Sequence, residues 1–474
     1  MKKTELERGS VQICSLKQMG DIDHILQKEI EKNDKKLVVL DDDPTGTQTV
    51  HGVSVYTDWS KSSISAGFDE PNKLFYILTN SRAMTESETK TLHEEIGKTI
   101  LAVSKEKGKD FIIISRSDST LRGHFPLETS TLRSVLEQEF PVDGEILCPF
   151  FLEGGRLTID DVHYVKEGEN LIPAGNTEFA KDKTFGYRSS NLKAYIEEKT
   201  SGAFAAEAVS SISLEMLRNG ELDKIESLLL QIRDYHKVIV NAVDYQDLKV
   251  FCTAFYRAVG KGKSFLIRSA ASIVKVLGGI SDAALLNRRQ LPAGGGDAGG
   301  LIIVGSYAEK TTRQLNELKR LKNAVFIQFD SDCVLDEIAL AGEQKRVASE
   351  AEKELKEGKT AVIFTKRQPL QVEGDTKEAV LIRSVKISDA LSSIVSRVET
   401  VPRFVIAKGG ITSSDIATKA LKIRRATVLG QIKPGIPVWK SESEGAYKNI
   451  PYIIFPGNVG KDGTLLEVAK LLGC

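Results

Sequence analysis

Short apolar runs alternate with longer amphipathic stretches along nearly the whole chain, and this alternation limits the fold more than any other feature. In the first half the runs fall at 36–42 (KLVVLDD), 73–79 (KLFYILT), 111–115 (FIIIS), 145–149 (EILCP), 237–243 (KVIVNAV) and 265–269 (FLIRS). Each is short and rich in β-branched or aromatic residues, as a strand covered on both faces should be. Helix signals lie between them. Thr85 with Glu88 makes a capping box before a helix expected over 86–108, and Pro126 suits the first turn of another over 126–139. The pattern resumes later, with strands expected at 301–304, 324–328, 360–364, 403–407 and 452–455. Helices are expected near 311–322, 342–357, 413–423 and 464–472. Such alternation implies an α/β protein of two domains, each a mostly parallel sheet flanked by helices.

The 474 residues exceed one domain at roughly 100–200 residues each. The best break is 281–300, SDAALLNRRQLPAGGGDAGG, which is rich in Gly and Ala and has little periodicity. It reads as a flexible connector. Read instead as a phosphate loop, its glycines would follow a strand, whereas they precede one. The expected division is an N-terminal domain over 1–285, a Gly-rich linker over 286–300 and a C-terminal domain over 301–474. Residues 1–33 form an extra N-terminal segment, in which HILQKEIEKN reads as a surface helix.

Composition narrows the function classes. Lys+Arg and Asp+Glu both number 65, which argues against a dominant nucleic-acid or anionic-membrane surface. No window is apolar for about 18 residues, so no membrane span is expected. The opening MKKTELERGS lacks the apolar core of a secretory signal. Five cysteines, at 14, 148, 252, 333 and 474, show no CxxC or Cys/His ligand spacing. They read as reduced thiols of a cytoplasmic protein, without a disulfide framework or a zinc site.

Ligands of open parallel sheets bind beyond the carboxyl ends of the strands. The informative residues should therefore follow the apolar runs. Asp41-Asp42-Asp43-Pro44-Thr45-Gly46 follows the first. Adjacent carboxylates repel unless a cation or hydroxyl ligand offsets them, and a kinase needs one to orient or deprotonate a hydroxyl. A solvated turn has the same composition. Thr79-Asn80-Ser81-Arg82 follows the second run. After the third comes Ser115-Arg116-Ser117-Asp118-Ser119-Thr120-Leu121-Arg122-Gly123, with arginines around one aspartate and hydroxyls between them. That suits a hydroxylated acid, because arginine forks onto carboxylates. The alternative is a capped helix start with a surface ion pair. Arg156 lies in a Gly-rich loop after Cys148-Pro149, and Arg188 is a weaker candidate. His51 and His124 adjoin these segments, and Cys148 reads as core rather than nucleophile.

The second half offers three glycine turns after strands: Gly305-Ser306, Gly409-Gly410-Ile411-Thr412 and Gly457-Asn458-Val459-Gly460. Glycine lets backbone N–H groups approach a phosphate closely. Three such turns suggest a nucleotide cradle, although none matches GxxxxGK[ST] or GxGxxG.

At these blocks the chain resembles the four-carbon acid sugar kinase family. Asp-Asp-x-Thr-Gly in DDDPTG, NSR (80–82), SDSTLRG (117–123), GGR (154–156), GS (305–306), KGGITS (408–413) and GNVG (457–460) occur in the family's order from about 36 to 473. The resemblance implies an acid-sugar domain followed by a nucleotide domain, with the active site in the interdomain cleft. It implies ATP, with Mg²⁺, as phosphoryl donor to threonate, erythronate or a 3-oxo-tetronate. By position, Asp42, Asp43, Ser81, Arg82, Asp118, Arg122 and Arg156 would face the sugar, with Arg116 where many members have lysine. Ser306, Gly409, Gly410, Thr412, Gly457 and Asn458, with Gly460 in the same turn, would face ATP. Ile411 stands where the family often has an acid, and Phe455-Pro456 where it often has Lys-Ser. The expected chemistry has Arg122, with Arg82 or Arg156, gripping the carboxylate and Asp43 or Asp118 orienting the hydroxyl. No metal ligand is assigned, and a homodimer is left open. The rival readings are a dinucleotide-dependent oxidoreductase and a non-catalytic acid-sugar sensor.

Overall fold

Every apolar run named above is a strand in the computed structural model, which describes residues 21–368, 370–442, 447–457 and 459–474. The chain divides into two units. One comprises residues up to Asp42 and Asp58–Ser281; the other comprises Asp43–Thr57 and Asp282–Cys474.

In the first unit seven strands lie side by side in the order Leu74–Leu78, Lys36–Asp41, Phe111–Arg116, Phe265–Ser269, Gly144–Cys148, His236–Val240 and Ser210–Ile212. All pair in parallel. Their carboxyl ends therefore share one edge of the sheet. The strand Lys36–Asp41 has the strands that follow it on either side, which is where a parallel sheet opens a crevice for ligands. The capping box of Thr85 and Glu88 is present, and the helix it starts, Glu86–Lys107, stops at Gly108 in the left-handed region. A small antiparallel sheet, Arg156–Ile159, Val162–Glu167 and Asn170–Pro173, follows the strand that ends at Cys148. The helix Ile22–Lys32 is more than a surface helix. Ile22, Leu26 and Ile30 are buried at a spacing of four, and Asp23 and Glu29 face Lys249 and Arg257 of helix Tyr245–Gly260.

In the second unit the order is Ala324–Phe329, Thr360–Thr365, Leu301–Val304, Val405–Lys408, Pro451–Phe455, Ile436–Ser441, Arg425–Lys433 and Ser54–Tyr56. The first five are parallel and the last three join antiparallel. The excursion Asp43–Thr57 thus supplies the last strand of this order.

The glycine-rich stretch 286–300, read as a flexible linker, is packed into this unit. Leu286 and Leu291 belong to its core. A Cβ on Gly299 would stand 1.6 Å from the Lys359 carbonyl oxygen, and one on Gly300 would stand 2.0 Å from the Phe404 ring. These glycines permit close backbone approach rather than freedom of motion, and composition alone does not distinguish the two uses. No helix among the described residues is long and apolar enough to cross a membrane.

Candidate functional site

The shared edge of the first unit gathers the predicted sugar-side residues. Asp41 ends the strand Lys36–Asp41 and Asp42 follows it, Arg116 ends its neighbour, and the 3-10 turn Ser81–Ala83 follows the strand on the other side. Arg116 donates to Asp41 Oδ1 at 2.8 Å and lies 3.5 Å from Asp42 Oδ1. Arg82 donates to Asp42 Oδ1 at 2.9 Å, and the Ser117 hydroxyl donates to Asp42 Oδ2 at 2.6 Å. The three clustered carboxylates of the sequence are therefore not left to repel one another: two are interleaved with arginines at the strand ends.

Asp118 is held by Arg122 Nε at 2.7 Å, by the Thr120 hydroxyl, and by Arg82 at 3.6 Å. Burial would raise its pKa, but Arg122 and Arg82 more than offset that and hold the carboxyl well below the usual range. Arg122 also faces Asp182 at 3.7 Å and lies over the Phe179 ring. Arg156 lies over the same ring, 5.8 Å from its centroid. Arg156 is 8% exposed, donates to the Gly154 carbonyl, leaves Nε without a hydrogen-bond partner and has no carboxylate partner among the described residues. Burial lowers its pKa, and the nearby Asp118 carboxylate, with which it forms no ion pair, offsets this only in part. Ser81 points inward and donates to Glu128 at 2.5 Å.

The second unit gathers the glycine turns at the carboxyl edge of its parallel strands. Gly409 has φ +124° and its N–H donates to the Phe455 carbonyl at 2.9 Å. A Cβ on Gly409 would stand 3.3 Å from Ser306 Cβ, one on Gly457 would stand 3.3 Å from Ser306 Oγ, and one on Gly305 would meet Thr412 Oγ1. Ser306, Gly409, Thr412 and Gly457 are thus neighbours. Gly460 shares the last turn, against Thr464, while Asn458 lies outside the described residues. Asp43 accepts from the Thr45 N–H at 2.7 Å, and a Cβ on Gly410 would stand 2.1 Å from its Oδ2. Only glycine at 410 lets this carboxylate lie against the turn.

Comparison with known proteins follows the same division. Residues 37–277 match the family described as a sugar-binding N-terminal domain, and residues 301–465 match that described as a nucleotide-binding C-terminal domain. The chain belongs to the four-carbon acid sugar kinase family. Two solved structures share its fold. One is a candidate tRNA synthase of Salmonella typhimurium LT2, at 15% identity over 91% of this chain and 98% of that one, with a TM-score of 0.66. The other is a Haemophilus influenzae protein of the DUF1537 family, at 16% identity over 91% and 99%, with a TM-score of 0.57. At these identities the likeness concerns the fold alone. No curated protein matches the chain.

Several residues of the family's two domains escaped sequence reading. Arg268, at the end of its strand, bonds Glu128 and the Ser115 and Ser117 hydroxyls, so it braces the Asp42 cluster from behind. Burial would raise Glu128, but Arg268 more than offsets it and lowers its pKa. His163 Nε2 donates to the Ser119 carbonyl at 2.8 Å, and its Nδ1 accepts from the Thr158 hydroxyl at 3.0 Å, fixing the 117–123 loop. Burial lowers its pKa to about 4. In the second unit the buried Lys408 donates to the carbonyls of Pro456 and, at 3.2 Å, Gly457, joining two glycine turns. Arg268 and Lys408 each end an apolar run, so the rule used for Arg116 would have found both.

Other candidates sit elsewhere. His124 donates to the Met84 carbonyl at 3.0 Å, and the Arg188 side chain is 90% exposed beside Glu198. His51 lies beside Gly430. Burial pushes the Cys148 thiol up to about 12, which removes it as a nucleophile at neutral pH.

Proposed function

We propose that this protein is an ATP-dependent kinase that phosphorylates a hydroxyl of a four-carbon acid sugar of the threonate, erythronate or 3-oxo-tetronate class. The observation that carries this reading is Arg156, a buried guanidinium without a carboxylate partner among the described residues, beside Arg122 and the Asp42–Asp118 cluster. A substrate carboxylate supplies the ion-pair partner it lacks, and the surrounding carboxylates and hydroxyls suit the hydroxyls of a short sugar acid.

In this reading Arg156 and Arg122 grip the carboxylate. Asp118 is already committed to Arg122, Arg82 and Thr120, so it orients rather than accepts a proton. Asp43 is the base. It takes the hydroxyl proton as the sugar oxygen bonds to the γ-phosphorus and the bond to the β-phosphate oxygen breaks, releasing ADP. Asp42 closes the first unit's opening run and Asp43 opens the second unit's, so the sugar-side and nucleotide-side carboxylates are consecutive in the chain. Backbone groups of the glycine turns hold the phosphates.

The described residues contain no cluster of three or more His, Cys, Asp or Glu set for a metal ion. Mg²⁺ that arrives on the nucleotide needs no such cage, because phosphate oxygens and water fill most of its shell, and it would neutralise phosphate charge. The proposed location is the cytoplasm, where ATP is supplied.

Coupled detection of ADP across a panel of tetronates and 3-oxo-tetronates tests the reading. Turnover on one of them supports it. Binding of sugar acid and ATP without ADP release makes the protein a sensor, and reduction of a nicotinamide cofactor makes it an oxidoreductase.

A further inference from the structure

Arg367 stands just past the strand Thr360–Thr365, whose Phe364 is in register with Val304, so it reaches the same edge as the Gly305-Ser306 turn. Its NH2 group donates to the Ser306 carbonyl at 2.5 Å and to Thr312 Oγ1 at 3.0 Å. NH1 lies 3.4 Å from Thr365 Oγ1, and the guanidinium lies 5.8 Å from the centre of the Tyr307 ring. All of these partners are neutral. Its neighbour Lys366 pairs with Asp332 and Asp330, whereas Arg367 has no carboxylate within ion-pair distance among the described residues. The residue is half-buried, and burial lowers its pKa. The Tyr307 hydroxyl beside it is buried and has no hydrogen-bond partner among the described residues.

A partly buried guanidinium held only by neutral groups bears a desolvation cost that an anion would offset. Here that cation adjoins Ser306, the residue that touches both the Gly409 and the Gly457 turns. Lys408, a second cation at these turns, is spent on the Pro456 and Gly457 carbonyls. We propose that Arg367 binds a phosphate group of the nucleotide directly, supplying the fixed positive charge that the glycine turns lack. Arg367 lies in none of the family-like blocks of the sequence. The inference rests on the nucleotide reading of the second unit.

The test uses the full-length protein and calorimetric titration with ATP and with adenosine. Wild type, Arg367→Met and Arg367→Lys are compared, together with the melting temperature of each without ligand. The expected result is at least a tenfold loss of ATP affinity in Arg367→Met and partial recovery in Arg367→Lys. Adenosine binding and the ligand-free melting temperature stay unchanged. Undiminished ATP affinity in Arg367→Met overturns the inference. So does an equal loss for ATP and adenosine, which would show that the side chain only shapes the Ser306 turn. A wild-type protein that binds no nucleotide overturns the nucleotide reading itself, an outcome distinct from the other two.

Discussion

The two units build their candidate sites in opposite ways. The first presents side chains: Asp42, Arg82, Arg116, Asp118 and Arg122 are tied to one another, while Arg156 has no carboxylate within ion-pair distance among the described residues. The second presents glycine turns: Gly305, Gly409, Gly410 and Gly457 leave room for the Thr412, Ser306 and Asp43 side chains, with Lys408 and Arg367 hydrogen-bonded to neutral partners beside them. A side-chain site specifies one small molecule through fixed forks and carboxylates. A backbone site tolerates sequence change as long as the glycines remain. This is why Ile411, 38% exposed beside the second turn, can differ from the family's usual acid while the turn itself persists.

The contrast can be broken first at Asp43, the side chain that serves the backbone site. Asp43→Asn is expected to cut kcat by roughly 10²–10⁴-fold, the range for loss of a general base, while calorimetric ATP affinity stays near wild type. Normal turnover in this variant removes Asp43 as the base.

The prebuilt side of the comparison is sharpened by acid. His163 is neutral when buried, with a pKa of about 4 against 6.5 for an exposed imidazole. Above pH 6.5 both folded and unfolded states carry the neutral ring, and its full contribution is present. Between 6.5 and about 4 the unfolded state takes the proton and the folded state does not, so stability falls as pH falls. The total loss is about 3 kcal/mol. Urea titrations from pH 7 to 4, followed by hydrogen exchange over 156–167, should show this slope in wild type and a flatter one in His163→Gln.

Arg156 carries the next effect. Arg156→Met should raise KM for the sugar acid by roughly tenfold to a hundredfold, with a smaller change in kcat, and Arg156→Lys should recover part of it. An unchanged KM would place the carboxylate elsewhere.

The smallest effect expected is at Gly410. Its alanine variant must displace the Asp43 carboxylate, which is the far end of a side chain and can move. Turnover should drop by about tenfold, with an unchanged melting temperature, because the fold itself is not crowded.

How much of this was legible follows from the same contrast. Parallel strands buried on both faces leave apolar runs, so six of the first unit's seven strands could be read with near-correct bounds, whereas Ser210–Ile212, three residues long and mostly polar, could not. The antiparallel strands Arg425–Lys433 and Ser54–Tyr56 could not, since one carries polar residues at alternate positions and the other is three residues long. Arg268 was visible in its strand, but its partner Glu128 lies 140 residues away, so the brace exists only once the sheet has formed. His163 is similarly tied to a carbonyl 44 residues back. The stretch 286–300 was misread because glycine marks both loose chain and tightly packed chain. Among the sugar-side residues, types and positions could be read. Which arginine lacks an ion-pair partner depends on distances that no motif encodes.

The excursion Asp43–Thr57 has a consequence for biosynthesis. Thr47 accepts from the indole of Trp439, 392 residues later, and Ser54–Tyr56 pairs with Arg425–Thr427. This segment leaves the ribosome early and waits for nearly the whole chain before its partners appear, while the first unit can already fold. A fragment beginning at Asp282 would lack it and would expose the open edge of the strand Arg425–Lys433, a template for pairing with other chains. The second unit is therefore not a module that can be cut out at the glycine-rich stretch, and its nucleotide turns should be studied in the intact protein.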